Sequence, residues 1–135
     1  MTQKKFLLRF LNKHKEDIIV GSLGTISKDL EELNNGKNIL FLIRGAMGCA
    51  MGVGLGIALN TKKKVYVFMG DGAFLMKMGS LATIMRYKPK NLHIIILNNN
   101  CYASCGGQKT NFKYIKKHIP FCKIVEVENE NIHSG

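Results

Sequence analysis

The sequence contains no tryptophan, only two prolines, and only nine acidic residues against 20 lysines and arginines. The resulting net charge of +11 raises the question of nucleic-acid binding, because basic surfaces attract phosphate backbones. The lysines are scattered, however, and no basic amphipathic helix or aromatic-interleaved stripe collects them. We therefore expect no nucleic-acid partner, and we favour an anionic small molecule or an acidic partner chain.

Targeting and membrane signals are also missing. Residues 1–10 are charged and contain no apolar stretch followed by a small-residue cleavage site, so a secretory signal is not indicated. The segment 39–59 is mostly apolar, but Arg44 and frequent glycines favour a buried strand, turn and helix over a membrane span. The cysteines lack the spacing of a disulfide framework, which favours a reducing cytoplasm.

Several common site motifs are absent as well. The glycine-rich stretch 52–56 has no glycine at position 57, which the dinucleotide fingerprint requires. The stretch 107–110 lacks the earlier glycine of a P-loop. The candidate zinc ligands fit no standard finger spacing. They are Cys101, Cys105, His118 and Cys122.

What the sequence does contain is a regular alternation of strand and helix patterns. Apolar runs predict strands at 17–20, 38–43, 65–69, 92–97 and 123–127. Helical patterns cover 6–15, 74–87 and 112–118, and two further helical patterns end at residues 33 and 59. The alternation predicts a doubly wound α/β fold with a mostly parallel sheet and helices on both faces. The run 38–43 is continuous and apolar, which is typical of a strand buried on both faces.

The chain has the length of one domain. We expect a single domain over 1–135, made of an N-terminal helix within 1–16 and a core over 17–135. The pattern stops after Val127, because the eight residues that follow contain no closing helix or last strand. We expect either a smaller sheet than usual or a fragment.

The carboxyl ends of the predicted strands carry the unusual residues. Ligands of doubly wound sheets bind at that edge. Asp71 stands there between two glycines, ahead of a helix predicted from Phe74. A helix start attracts phosphate but a carboxylate repels it, so the two fit together if a divalent cation lies between them. A Gly-Asp-Gly turn with Asp71 as a helix cap explains the same residues without a ligand.

Three consecutive asparagines at 98–100 favour the metal. They begin after a spacer of 25 residues beyond Gly72 and directly follow the next predicted strand. If the two strands are neighbours, their ends lie about 4.8 Å apart, and Asp71 and Asn99 could share one ion. Amide and carboxylate oxygens suit Mg²⁺. The sequence thus predicts a carboxylate that binds a metal, and a metal that holds a diphosphate.

This two-part pattern, GDG at 70–72 and the paired asparagines, resembles the thiamine diphosphate signature of the diphosphate-binding (PP) domains of thiamine-dependent enzymes. The resemblance implies thiamine diphosphate and Mg²⁺ as cofactors. It also implies that Asp71 and Asn99 are side-chain metal ligands and that Cys101 is a ligand through its backbone carbonyl. The sulfur of Cys101 has no part in this, because Mg²⁺ prefers oxygen.

A second match lies at 44–48, where this family places the aminopyrimidine ring. The resemblance implies that the Gly45 carbonyl accepts a hydrogen bond from the 4′-amino group. It also implies that Met47 is the apolar wedge that bends the cofactor into a V shape. A small-residue face of a tightly packed helix is a compatible interpretation, based on Gly48, Gly52 and Gly56.

The resemblance gives a full set of expected cofactor-binding residues. They are Gly24, Thr25, Gly45, Ala46, Met47, Gly48, Gly70, Asp71, Gly72, Ala73, Asn99, Cys101 and Tyr102.

Finer matches indicate a subfamily. The stretches LMKMGSLATI (75–84), KPKNL (88–92) and SCGGQKT (104–110) resemble phosphonopyruvate decarboxylases and sulfopyruvate decarboxylase β subunits, and GSLGTISKDLEEL (21–33) is similar to their T-T-G-x-T-S-R-E-L stretch. The chain departs from that pattern at several positions, where relatives carry threonine, other hydroxyl residues or histidine. These are Leu23, Ile26, Cys49, Tyr102 and Cys105.

The resemblance implies a carboxy-lyase, most directly one that converts phosphonopyruvate to phosphonoacetaldehyde and CO₂. Arg44, Lys109 and Lys113 are candidate basic groups for the small anionic 2-oxo acid. The family also needs a glutamate from a PYR domain, and no motif of that domain is present. We therefore expect no catalytic residue in this chain, no activity alone, and a hetero-oligomer with a PYR-domain chain.

Three alternatives remain open. The first is the sulfopyruvate decarboxylase β subunit, and the second is a subunit of an acetolactate synthase-like enzyme or an oxo acid oxidoreductase. The segment 104–110 disfavours the second. The third is of a different class, a truncated, non-catalytic binding module, because a fold can persist after its catalytic activity is lost.

Overall fold

The computed structural model describes residues 1–36 and 38–129, which form one parallel sheet with helices on both faces. The strands are β1 (Ile18–Gly21), β2 (Ile39–Leu42), β3 (Val65–Gly70), β4 (Leu92–Asn98) and β5 (Cys122–Glu126). The helices are α1 (Gln3–Lys13), α2 (Thr25–Leu33), α3 (Ala50–Ala58), α4 (Asp71–Met76) and α5 (Ser80–Tyr87). The strand order is β2-β1-β3-β4-β5, and every pair is parallel. The predicted fold class is therefore confirmed. Of the last eight residues, 130–135 lie outside the described range.

The core lies in two layers, one on each face of the sheet. Leu7 of α1 and Leu30 of α2 pack with Phe68 of β3 on one face. Met51 of α3 and Phe74 of α4 belong to the core of the other face. The five residues 65–69 are all buried, as expected for a central strand with both faces covered.

The prediction that strand 38–43 is buried on both faces is wrong. β2 is one of the two edge strands of the sheet, and its side chains alternate in exposure. Ile39 is 44% and Phe41 is 41% exposed, whereas Leu40 and Leu42 pack against the α1/α2 layer. An apolar run alone does not distinguish a central strand from an edge strand, because the run does not show whether the strand pairs with neighbours on both sides or on one side only.

The predicted small-residue face of α3 is also wrong in its position. Gly52 and Gly56 are exposed, and a Cβ at either would meet no atom within 4 Å. The helix approaches the sheet at Gly54 instead, where a Cβ would lie 2.2 Å from Val67 Cγ2. Among the described residues, no helix is both long and apolar enough to cross a membrane.

The predicted single helix at 74–87 is two helices. α4 begins at Asp71, earlier than predicted, and ends at Met76, and α5 begins only at Ser80. Asp71 therefore lies in the first turn of a six-residue helix rather than in a loop ahead of one. The segment 112–118 forms two short 3₁₀ helices instead of an α-helix.

Candidate functional site

The carboxyl ends of β3 and β4 lie side by side at one edge of the sheet. Gly70 of β3 is in register with Leu97 of β4. Asp71 and the asparagines at 98–100 therefore leave neighbouring strands at the same level. The two strands are therefore neighbours, as a metal ion shared by Asp71 and Asn99 would require.

Asp71 is a buried carboxylate, only 1% exposed. Its Oδ2 accepts a short hydrogen bond from the Thr110 hydroxyl. Thr110 lies in the loop that follows β4. Burial raises the pKa of this carboxyl, because a low-dielectric surrounding disfavours the charge, and hydrogen bonds from Thr110 and nearby backbone amides counteract the rise. A cation beside the carboxylate would also favour the ionised form.

The loop after β4 is fixed at its start by a buried side chain. Asn98 is 0% exposed, and its Nδ2 donates to Glu126 Oε2 at 2.8 Å and to Asn100 Oδ1 at 3.2 Å. Its Oδ1 accepts from the Asn100 amide at 3.1 Å. Lys116 donates to the other oxygen of Glu126 at 3.0 Å. These contacts hold Asn100 at a φ of +61°, a conformation that asparagine tolerates better than most residues.

The same loop then folds back onto the site. The Tyr102 amide donates to the Gln108 carbonyl at 2.8 Å, and the Thr110 amide donates to the Asn100 carbonyl at 3.2 Å. This short antiparallel contact returns the chain to the strand ends. As a result, Thr110 reaches Asp71 although 39 positions separate them in the sequence.

Gly72 lies directly against an aromatic ring. A Cβ at this position would stand 2.5 Å from a ring carbon of Tyr102. Real Cβ contacts are not that short, so a side chain here would displace the half-buried Tyr102 ring. The second glycine of the GDG motif thus has a steric role in addition to any backbone approach to a ligand.

Asn99 and Cys101 are connected to the segment that follows β5. The Asn99 carbonyl accepts from Asn129 Nδ2 at 3.2 Å, and Cys101 Sγ donates to Asn129 Oδ1 at 3.3 Å. The Asn99 side-chain oxygen accepts from the Cys101 amide at 3.2 Å and keeps a second lone pair. The thiol is therefore occupied by Asn129.

A solvent-open cleft brings together most of the predicted residues. Those that line it are Thr25, Met47, Gly70, Asp71, Gly72, Ala73, Asn99, Cys101 and Tyr102. Four predicted residues do not line it. They are Gly24, Gly45, Ala46 and Gly48.

These four residues lie within one or two positions of Thr25 or Met47, which do line the cleft. Gly24 precedes Thr25 and has a φ of +99°, a conformation that glycine adopts without strain. Gly45 and Ala46 are exposed. Gly48 is buried, with a φ of +86°, and a Cβ there would stand 2.8 Å from the Lys77 side chain.

The sequence predictions missed three residues of this region. Thr110 was part of the segment 104–110 but was given no role. Gln3 of α1 lines the cleft and contacts Thr25, although the first helix was predicted to begin only at Phe6. Asn129 lies beyond the last predicted strand. Thr2 could have signalled the earlier start of α1, because its hydroxyl caps the helix by accepting from the Lys5 amide at 3.2 Å.

The zinc alternative receives no support. Within residues 1–36 and 38–129, no group of three or more histidine, cysteine or acidic side chains could hold a metal ion. The four cysteines are free, and burial raises the pKa of Cys122 to about 11.

The donor chemistry of the cleft fits a hard cation with a diphosphate. Asp71 and Asn99 offer oxygen atoms, as Mg²⁺ prefers. The Thr25 hydroxyl also lines the cleft and can donate to an anion. These observations fit thiamine diphosphate bound through Mg²⁺.

Comparisons with known proteins agree with this geometry. Residues 20–128 match the family model of the thiamine pyrophosphate enzyme, C-terminal TPP binding domain. The chain is 42% identical over 99 residues to a sulfopyruvate decarboxylase subunit beta of Methanocaldococcus jannaschii, covering 73% of this chain and 52% of the relative. It is 44% identical over 92 residues to a phosphonopyruvate decarboxylase of Streptomyces hygroscopicus, covering 68% of this chain and 23% of the relative.

The fold has a solved counterpart as well. The X-ray structure of a Mycobacterium smegmatis protein described as a thiamin diphosphate-dependent enzyme superposes with a TM-score of 0.67 at 18% identity, covering 95% of this chain and 31% of that one. At this identity the likeness concerns the fold alone. The chain spans about half the length of the sulfopyruvate decarboxylase subunit that it matches, and less of the other relative. From the family match and these identities, the chain belongs to the C-terminal TPP-binding domain family of thiamine pyrophosphate enzymes.

Proposed function

We propose that this chain is the cofactor-binding half of a thiamine diphosphate- and Mg²⁺-dependent 2-oxo acid decarboxylase. The observation that carries the proposal is the buried Asp71 beside Asn99, oriented by Thr110 at the end of two neighbouring strands. A buried carboxylate is costly unless it is hydrogen-bonded or binds a cation. Membership of the TPP-binding family and the names of the relatives support the same reaction class.

The residues of the cleft would divide the binding between them. Asp71, Asn99 and the backbone carbonyl of Cys101 would hold Mg²⁺. Gly24, Thr25 and the 70–73 segment would contact the diphosphate, with Tyr102 packed beside them. The segment 45–48 would receive the aminopyrimidine ring, with Met47 as the apolar wedge. These assignments extend the family match to single residues and are part of the proposal.

Thiamine diphosphate, when bound, supplies the nucleophilic carbon and the electron sink that decarboxylation of a 2-oxo acid requires. The chain's contribution is to bind the diphosphate, to orient the rings and to limit access of water. The substrate class we propose is a 2-oxo acid with a second anionic group, phosphonopyruvate first and sulfopyruvate as the alternative. Both relatives named above act on such acids according to their names.

We further propose that a PYR-domain chain or subunit completes the site. The relative from Methanocaldococcus jannaschii is named as a beta subunit, which supports a divided enzyme. The segment 44–46 next to Met47 supports it as well, because Arg44, Gly45 and Ala46 are exposed. An acidic partner surface would be favoured electrostatically by the net charge of +11.

The direct test is decarboxylation with and without a partner. The purified chain is assayed with phosphonopyruvate and with sulfopyruvate at saturating thiamine diphosphate and Mg²⁺, first alone and then with a PYR-domain chain. We expect no turnover alone and turnover of one substrate with the partner. Sustained turnover by the single chain would contradict the divided site, and absence of turnover in the complex despite bound cofactor would contradict the decarboxylase assignment.

A further inference from the structure

The first residue of α1 contacts the first residue of α2. Gln3 Nε2 donates to Thr25 Oγ1 at 3.1 Å and to Asp29 Oδ2 at 2.9 Å. Both Gln3 and Thr25 line the cleft that contains Asp71. The amino-terminal helix therefore reaches the candidate cofactor site through a single side chain.

The Asp29 contact fixes which atom of the Gln3 amide faces α2. An ionised carboxylate only accepts hydrogen bonds, so the amide nitrogen, and not the amide oxygen, has to face Asp29. The second hydrogen of the same nitrogen then points to Thr25 Oγ1. Both amide hydrogens are used, which leaves the Gln3 side chain in one orientation.

This orientation determines what the Thr25 hydroxyl can do. Its oxygen accepts from Gln3, so its own hydrogen remains available to donate. Without Gln3, Asp29 is an alternative acceptor, because it lies four positions along the same helix and is therefore a neighbour on the helix surface. The hydroxyl hydrogen could then be donated to Asp29, which does not line the cleft.

From this geometry we infer that Gln3 is a positioning residue that makes Thr25 a hydrogen-bond donor to an anionic oxygen in the cleft and keeps the Asp29 carboxylate occupied. The inference rests on the proposed function, in which that oxygen belongs to the diphosphate. Gln3 itself is assigned no contact with the cofactor. Its effect passes through Thr25.

The test is a double-mutant cycle on cofactor affinity. Thiamine diphosphate is titrated at saturating Mg²⁺ into the chain and into Gln3→Met, Thr25→Val and the double variant. We expect Gln3→Met to raise Kd about three- to tenfold, the loss of one hydrogen bond. In the Thr25→Val background the same change should have no further effect. Thr25→Ser keeps the hydroxyl and should retain the full dependence on Gln3.

Thr2→Ala is the matched control, because it removes the hydroxyl cap of α1 next to Gln3 without touching Thr25. If fraying of α1 were the cause, Thr2→Ala would raise Kd as much as Gln3→Met does. Melting temperatures of the ligand-free variants separate loss of fold from loss of binding. Equal Kd values for Gln3→Met and the wild type would overturn the inference, and so would an undiminished Gln3 effect in the Thr25→Val background.

The same titrations separate this inference from the proposed function. If the wild type binds with Mg²⁺ and Asp71→Asn does not, while Gln3→Met binds like the wild type, only the role of Gln3 is overturned. If the wild type shows no Mg²⁺-dependent binding, the proposed function fails and the role of Gln3 fails with it.

Discussion

The β3/β4 side of the cleft and the exposed segment beside the cleft at the end of β2 are built differently. At the ends of β3 and β4, Asp71 is 1% exposed, and the loop that carries Asn99 is fixed by the buried Asn98. At the end of β2, Arg44, Gly45 and Ala46 are exposed. There Arg44 forms an ion pair with Glu31 on the protein surface.

This difference indicates which part of cofactor binding the chain can perform by itself. Side chains from the start of α4, the loop after β4, β5 and the segment after it already hold one another around Asp71, so little ordering is left for ligand binding. The backbone of the segment 44–46, at the place where we propose that the cofactor rings bind, is not covered by any of the described residues. We therefore expect the anchor for the diphosphate to belong to this chain and the enclosure of the rings to depend on a partner.

The largest expected effect is at Asp71. Asp71→Asn keeps the shape of the side chain and an acceptor for the Thr110 hydroxyl but removes the charge. Mg²⁺-dependent binding of thiamine diphosphate should be abolished in a titration while the melting temperature stays close to that of the wild type. Asp71→Ala should lose binding as well. A variant that unfolds while losing binding would indicate that Asp71 is mainly a structural cap.

A smaller effect is expected at Thr110, which orients the carboxylate. Thr110→Val keeps the volume but removes the hydroxyl donor, and the affinity for Mg²⁺ with thiamine diphosphate should fall about tenfold, as is typical when a partner of a metal ligand is removed. Thr83→Val, at an exposed position of α5, is the matched control. An unchanged dissociation constant for Thr110→Val would mean that backbone amides alone orient Asp71.

The smallest effect on affinity is expected at Met47, next to the exposed segment 44–46. Met47 is half-buried and lines the cleft, so Met47→Ala should change the affinity of the chain for thiamine diphosphate less than twofold. In the complex with a partner the same variant should lower the turnover number strongly, because the ring orientation is lost while the diphosphate anchor remains. Equal losses of affinity and turnover would make Met47 an ordinary core residue.

The sequence was sufficient for the parts of the molecule that depend on local pattern. The five strands, their carboxyl-edge loops and the pairing of Asp71 with the asparagine loop followed from apolar runs and spacing. The burial of β2 did not, because Ile39 and Phe41 read like core residues and their exposure follows from the edge position of the strand. The close approach at Gly54 rather than Gly52 depends on the rotation of α3 over Val67.

The supporting residues of the site were harder to predict for a related reason. Thr110 contacts Asp71 across 39 positions, and Gln3 contacts Thr25 across 22. Such contacts arise from the order of strands and the return path of a loop, and neither residue type signals them. The metal ligands are expected from a motif, whereas the residues that orient them are found only in three dimensions.

The measurement that tests the central claim most directly is the Mg²⁺ dependence of thiamine diphosphate binding by the unmodified chain. The cofactor is titrated into the chain by calorimetry, once with excess Mg²⁺ and once with a chelator that removes divalent cations. Saturable binding of one cofactor per chain with Mg²⁺, lost with the chelator, is the predicted result. Binding of equal strength in both titrations, or no binding with Mg²⁺, would contradict a metal-held diphosphate at Asp71 and Asn99.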